Sequence, residues 1–298
     1  MSKRGIVFFA INNDRIDYLK LVHLAGSLVN KNMHGIPISI ITDDYSIGWD
    51  YFKNNQKQFE SIFDNIIIFN DDSILNNKNI RVYRDTQYHS INAEFKNKSR
   101  SEIYKLSPYD ETLLLDVDYF VLNDVLNTIW GCEEDILINS DAINLHYEKL
   151  TGPEFRLNPY GIKMFWATAI YFKKTPRVKL LFDFVEHIKN HWEFYKLVYD
   201  FPGSLFRNDY AFSIALHVLN GFLENDEIKP LPGGPLLTLT DQDQLYKFKN
   251  KNEICVFVND MKEKWKFYAS TIKGINIHCM NKLSILNNFD NIMRVINE

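Results

Sequence analysis

Disulfides and structural zinc sites are the first things this chain lacks the means to build. Its 298 residues contain three cysteines, Cys132, Cys255 and Cys279, odd in number and widely spaced. They form neither a disulfide framework nor a zinc-ligand pairing. A reducing compartment fits that usage, so a cytoplasmic location is expected. A basic surplus is missing too: 34 Lys and Arg stand against 38 Asp and Glu, a formal net charge of −4. That balance argues against a dedicated nucleic-acid binder, yet it leaves room for a locally basic pocket around a phosphorylated ligand. No run approaches the roughly 20 apolar residues of a membrane span. Met1-Ser2-Lys3-Arg4 imitates the start of a signal peptide, but the apolar run from Gly5 to Ile11 has only a strand's length and ends at Asn12-Asn13-Asp14-Arg15. No repeat, linker or low-complexity block divides the chain. A single domain over residues 1–298 is expected, with an irregular insertion between Asp141 and Gly161.

What is present is a large apolar fraction, 46%, ordered by alternating periods. Gly5 to Ile11 reads as a buried strand. Tyr18, Leu21, Val22, Ala25, Leu28 and Val29 recur at helical spacing. Pro37 opens a strand over Ile38 to Thr42, a helical stretch covers Ile47 to Phe63, and Ile66 to Phe69 is a third strand. This β-α-β-α-β order predicts a mostly parallel sheet covered by helices on both faces, with ligands bound beyond the carboxyl ends of the strands. The polar stretch Asn70 to Asn97 reads as a loop with a short helix. Ser101 to Leu106 is helical, Thr112 to Leu115 a strand, and Asp118 to Leu122 extended. Further strands are expected at Ile136 to Ile138, Met164 to Phe172, Ile254 to Val258 and Ile275 to His278. Helices are expected at Pro176 to Trp192, at Asn208 to Leu219 with Asn208 as N-cap, and from Leu283 onward.

The chemistry is concentrated in Thr112-Leu113-Leu114-Leu115-Asp116-Val117-Asp118. An apolar strand delivers two carboxylates two positions apart, and residues two apart in an extended chain share a side. They can converge on one hard cation, Mg2+ or Mn2+. Two carboxylates side by side without a counter-charge are unfavourable. A divalent ion bridging a diphosphate removes that penalty and stabilises the diphosphate as it leaves.

The segment around this triplet, Arg100 to Trp130, resembles the GT-A glycosyltransferases, especially family 8, which includes glycogenin and the bacterial lipopolysaccharide galactosyltransferases. The shared order is a basic residue, a helix, a turn with Tyr, an apolar strand, Asp-X-Asp, then an apolar run with Asn or Asp. Here these are Arg100, Ser101 to Leu106, Ser107-Pro108-Tyr109-Asp110, Leu113 to Asp118 and Tyr119 to Val125. The resemblance implies an α/β GT-A (Rossmann-like) fold and a retaining, metal-dependent transfer from a UDP-sugar to an acceptor hydroxyl. It implies that Asp116 meets the donor ribose or the metal, that Asp118 binds the metal, and that Arg100 contacts the donor where the family keeps a Lys. Arg keeps the charge there and changes the geometry.

Ile275 to Lys282 resembles the family's late segment, in which a His completes the metal site. His278 takes that place and Lys282 that of a phosphate-binding Lys, although the family's Gly, Pro and Trp are missing. Phe165 to Phe172 falls where the family has Phe-Asn-(Ser/Ala)-Gly, with Trp166 and Thr168 replacing the Asn and Gly. Arg207 to Ala211 resembles the Gly-Asp-Gln segment. It places Asp209 beside the sugar, binding hydroxyls or stabilising positive charge at the anomeric carbon. Asn12 and Asp43, at strand ends, are candidates for base or ribose contacts. Residues 141–161 and 221–250 are expected to supply the acceptor side, with Pro232-Gly233-Gly234-Pro235 a turn. Two other readings stay open. A sugar nucleotidyltransferase needs a Gly-rich loop after the first strand, and Ile11 to Arg15 has no Gly. A binding relative without turnover is consistent with the imperfect His278 segment.

Overall fold

The computed structural model describes residues 3–70, 79–86, 88–146, 148, 161–201, 205–223, 228–260, 262–263 and 265–298. The chain begins β1 (Arg4–Phe9), α1 (Tyr18–Asn32), β2 (Ile38–Thr42), α2 (Asp44–Ile47), α3 (Asp50–Ile62) and β3 (Asn65–Ile68). It continues through β4 (Ile80–Arg84), β5 (Ser90–Glu94), α4 (Ile103–Leu106), β6 (Glu111–Leu115), β7 (Tyr119–Phe120), β8 (Ile136–Asn139), β9 (Ala142–Ile143) and β10 (Trp166–Lys173). Helices α5 (Pro176–Asn190), α6 (Trp192–Val198) and α7 (Asn208–Leu219) follow. The chain then runs through β11 (Leu236–Leu239), β12 (Gln244–Asn250), β13 (Glu253–Asn259), β14 (Phe267–Lys273), β15 (Ile277–Cys279), α8 (Lys282–Asn287) and α9 (Phe289–Asn297).

The central sheet has the order β3-β2-β1-β6-β10-β8. β3, β2, β1 and β6 are mutually parallel, and β10 runs antiparallel to both β6 and β8. Side-chain alternation divides the core between its two faces. Ile6, Phe8, Leu113 and Leu115 pack with α1, α3 and the C-terminal helices. Val7, Phe9 and Leu114 pack with Val178, Phe182 and Val185 of α5 and Phe212 and Ala215 of α7. The mostly parallel α/β sheet flanked by helices is therefore present. Its central strands β1, β2, β6 and β10 are predominantly apolar because both faces are covered.

Several sequence expectations are corrected. Asn70 to Asn97 holds no helix among its described residues; Ile80–Arg84 and Ser90–Glu94 pair instead as an antiparallel hairpin. The mixed polar and apolar residues there hid a period of two. β12 and β14 flank β13 in an antiparallel sheet that the sequence reading found only at its centre. Its inner face, Leu245, Phe248, Ile254, Val256, Val258 and Ile272, joins the first core. The outer strands were missed because their lysines and tyrosines obscure the alternation. Asn208 is the first helical residue of α7, and Arg207 holds the cap position without a side-chain cap bond. The Asn208 amide instead donates to the Asn97 carbonyl at 3.2 Å. Most of the expected insertion at 141–161 lies outside the described residues.

A smaller sheet, β7-β15-β11-β9, closes the far end of the chain onto the turn after β6. β15 runs antiparallel to β7 with His278 opposite Tyr119. That pairing brings a residue 160 positions downstream of Asp118 beside it. Among the described residues, no helix is long and apolar enough to cross a membrane.

Two predictions test the packing. A Cβ at Gly5 would lie 2.3 Å from the Tyr109 ring. Gly5→Ala should destabilise the fold by about 1–3 kcal/mol in urea titrations. His23, buried in α1 with its Nδ1 2.6 Å from the Tyr51 hydroxyl, is depressed by burial to about 4. The unfolded chain takes up that proton first. The contribution is therefore intact above the ordinary histidine range and is lost as pH falls from about 6.5 toward 4. His23→Gln should remove on the order of 2 kcal/mol of the acid-side stability loss seen in the parent, measured by denaturation at a series of pH values.

Candidate active site

Leu113, Leu114 and Leu115 carry β6 through the buried centre of the sheet and stop at its carboxyl end. The Asp116 amide donates to the Thr168 carbonyl at 2.8 Å, and the Tyr119 amide donates back to the Asp116 carbonyl at 3.0 Å. Asp116 to Asp118 is thus a tight turn, which corrects the extended segment expected from sequence. The turn still brings the two carboxylates together. One ligand atom from each of Asp116, Asp118 and His278 lies within 4.8 Å of the others.

Each member is fixed by a separate element. The Cys279 amide of β15 donates to the Asp118 carbonyl at 2.8 Å, locking β15 to the turn. His278 Nε2 then lies 3.4 Å from Asp118 Oδ2. Lys282, the first residue of α8, forms an ion pair with the same carboxylate oxygen. Arg100 is paired with Asp116, and its Nη1 donates to the Ala167 carbonyl at 2.6 Å. Asp118 is only 1% exposed. Burial alone would push its pKa up, but Lys282 and His278 outweigh that and hold it well below the usual carboxylate range. Burial lowers Arg100 to about 10, against the opposing pull of Asp209 and Asp118, so it remains a cation at neutral pH.

The donor set fits a divalent metal. Two carboxylates and one imidazole suit Mn2+ or Mg2+ through their oxygens, with the imidazole favouring the softer of the two. His278 turns Nε2 toward Asp118, while its Nδ1 is buried and has no hydrogen-bond partner among the described residues. Asp116, Asp118 and His278 would hold the ion.

Asp209 sits on α7 across the cleft. Its Oδ1 accepts from the Ala167 amide at 2.9 Å, and its Oδ2 accepts from Arg207 Nη2 at 2.9 Å. Burial pushes its pKa up, yet Arg207, the Ala167 amide and Arg100 together leave it lowered. Ala167 therefore links Arg100 to Asp209 through the two sides of one residue's backbone.

These groups line one cleft of about 360 Å³ together with Tyr18, Trp166 and Thr168. Asn12 and Asp43 do not line it. Asn12 is fully buried and accepts from the Leu19 amide at 3.1 Å, while its own amide donates to Ser46. Asp43 caps α2 by accepting from the Ser46 amide at 2.8 Å. Asp43 thus serves as a helix cap, a common use of polar residues at strand ends, whereas Asn12 ties the end of β1 to α1 and α2. The cleft also contains residues that sequence reasoning passed over: Arg81 and Arg84 from β4, and Asp241 from the turn before β12. The available signal for the first was the alternation of apolar Ile80 and Val82 with Arg81 and Tyr83.

No family model matches the chain, and no curated protein matches it. Solved structures with a similar path include the glycosyltransferase GlyE of Streptococcus pneumoniae TIGR4, at 13% identity and a TM-score of 0.44, over 78% of this chain and 46% of that one. The galactosyltransferase LgtC, solved in complex with donor and acceptor sugar analogues, is 16% identical over 71% of this chain and 70% of that one, with a TM-score of 0.41. Mouse xyloside xylosyltransferase 1 is 11% identical, with a TM-score of 0.42, over 74% of this chain and 84% of that one. The chain thus spans less than half of GlyE. At these scores the likeness decides nothing about activity, which rests on the residues of the cleft.

Asp118→Asn should weaken Mn2+ binding at least tenfold by isothermal titration calorimetry while far-ultraviolet circular dichroism stays native. Parent-like affinity in a folded variant would remove Asp118 from the metal site.

Proposed function

We propose that the cleft transfers a sugar from a nucleotide-diphosphate sugar to an acceptor hydroxyl with a divalent cation held by Asp116, Asp118 and His278. The observation that carries this reading is the convergence of those three ligand atoms within 4.8 Å, beside Lys282 and Arg100, at the carboxyl end of a buried strand. Bound there, Mn2+ or Mg2+ would act as a Lewis acid on a leaving diphosphate. UDP as the nucleotide and retention of anomeric configuration rest on the resemblance of Arg100 to Trp130 to family 8.

The chain's own side chains have distinct tasks in this reading. Lys282 and Arg100 each carry a full positive charge on a short leash, now neutralised by Asp118 and Asp116. Diphosphate oxygens are alternative partners of the same sign, and Arg100 offers them a forked donor. Asp209 remains ionised because Arg207 and the Ala167 amide hold its charged form. A fixed carboxylate at that place accepts from sugar hydroxyls and opposes positive charge developing at the anomeric carbon. Trp166 and Thr168 of β10 line the same cleft between these groups.

The sugar nucleotidyltransferase reading is not favoured. Residues 10–17 contain no glycine, and several of their backbone N–H groups are already bonded, Ile11 to Asn97 Oδ1, Asn12 to Ser46 Oγ and Ile16 to Asn13 Oδ1, each at 2.7 Å. A phosphate cradle needs free backbone N–H groups.

Incubation with a panel of UDP-sugars and Mn2+ should release UDP slowly without any acceptor, and chelation by EDTA should stop it. Asp209→Asn should lower that release by about 10²–10³-fold while leaving UDP affinity within a few-fold, in line with loss of a charge that acts in the transition state. Metal-dependent UDP binding without release from any donor would mark a binding protein instead of a transferase.

A further inference from the structure

Charge in the cleft does not close on itself. Arg100 is paired with Asp116, Lys282 with Asp118, Arg207 with Asp209, and Arg84 with Asp241. Among the described residues those are the four carboxylates that line the cleft, and each already has a cation. Arg81 is the cation left over. It has no carboxylate partner among the described residues, and its one hydrogen bond there is from Nη2 to the Phe206 carbonyl at 2.9 Å. A guanidinium has five N–H donors, so most of its capacity is unspent.

The side chain is nonetheless held in place. Its guanidinium carbon lies 3.5 Å from the centre of the ring of Phe95, the residue that follows β5. The Asn79 amide donates to the same Phe206 carbonyl at 2.8 Å, fixing that acceptor. Burial and the nearby Arg207 both disfavour its charge, and Tyr83, Tyr18 and Asp209 only partly offset them. A clamped guanidinium without a counter-charge, on the wall of a cleft, matches an oxyanion supplied from outside.

We propose that Arg81, with Arg207 beside it, binds an anionic group on the substrates other than the diphosphate: a phosphate or carboxylate carried on the donor sugar or on the acceptor. This rests on the transferase reading of the cleft. In that reading a divalent cation and a diphosphate bring roughly equal and opposite charge, so the surplus at Arg81 persists after the donor has bound. The site therefore selects an acidic sugar or an acidic acceptor over a neutral one.

Two arms of calorimetric titration separate the sources. In the first, UDP-glucuronate and UDP-glucose are titrated into the protein with Mn2+. In the second, glucose 1-phosphate, glucuronate and glucose are titrated into protein already saturated with UDP and Mn2+. The expected result is that an acidic ligand binds at least tenfold more tightly than its neutral counterpart in one of the two arms, which identifies the carrier. Arg81→Gln should abolish that preference while binding UDP with Mn2+ within about threefold of the parent. Arg81→Lys, which keeps the charge and loses the fork, should retain part of it. Equal binding of acidic and neutral ligands in both arms overturns the proposal, as does a preference that survives Arg81→Gln. Failure of UDP to bind with Mn2+ in the parent would instead overturn the transferase reading itself.

Discussion

A buried carboxylate with two basic neighbours organises the molecule's functional end. Asp118 is almost wholly buried at the edge of the cleft, and an unpaired charge there would be strongly unfavourable. Lys282 and His278 come from the last fifth of the chain to relieve it, and the backbone bond from Cys279 to the Asp118 carbonyl sets their approach. Without that late segment the turn after β6 would carry two carboxylates against Arg100 alone. The smaller sheet β7-β15-β11-β9 is best understood in this light: it fastens the chain's end to the one place where acidic side chains gather.

The opposite wall is tied to this arrangement through β10. Ala167 accepts from Arg100 through its carbonyl and donates to Asp209 through its amide. A single residue of a buried strand thereby spaces the Asp116 side of the cleft from the Asp209 side. Apart from Arg81, which Phe95 and the Phe206 carbonyl hold in place, the charged groups of the cleft are already in ion pairs, so a ligand exchanges partners with them and does not have to order free side chains. Such preorganisation lowers the entropy lost on binding and the reorganisation needed at the moment of reaction.

Much of the architecture could be read from the chain because its strands are covered on both faces. Ile6 to Phe9 and Leu113 to Leu115 are unbroken apolar runs, Ile38 to Ile41 is broken only by Ser39, and the helix between the first two strands has a clear stripe. The hairpin β4–β5 and the strands β12 and β14 could not be read in the same way. One side of each faces solvent or the cleft, where arginine, lysine and tyrosine replace the apolar half of the pattern. In the cleft, Asp116, Asp118, Arg100, His278, Lys282 and Asp209 stood out because each adjoins a regular element with a recognisable run. Arg81 did not, since a basic residue in a polar stretch looks like a solvated side chain until its neighbours are known. Asn12 and Asp43 drew attention as polar residues at strand ends; in the structure Asp43 caps α2 and Asn12 ties the end of β1 to α1 and α2.

The central claim is that Asp116, Asp118 and His278 jointly hold a divalent ion that also engages a diphosphate. Pulsed electron paramagnetic resonance of the protein with Mn2+ and UDP reads both halves of it in one sample. The expected spectrum contains a nitrogen coupling from one directly bound imidazole, absent in His278→Gln, together with phosphorus couplings from the nucleotide. A Mn2+ signal with phosphorus couplings and no nitrogen, or with neither, would contradict the account.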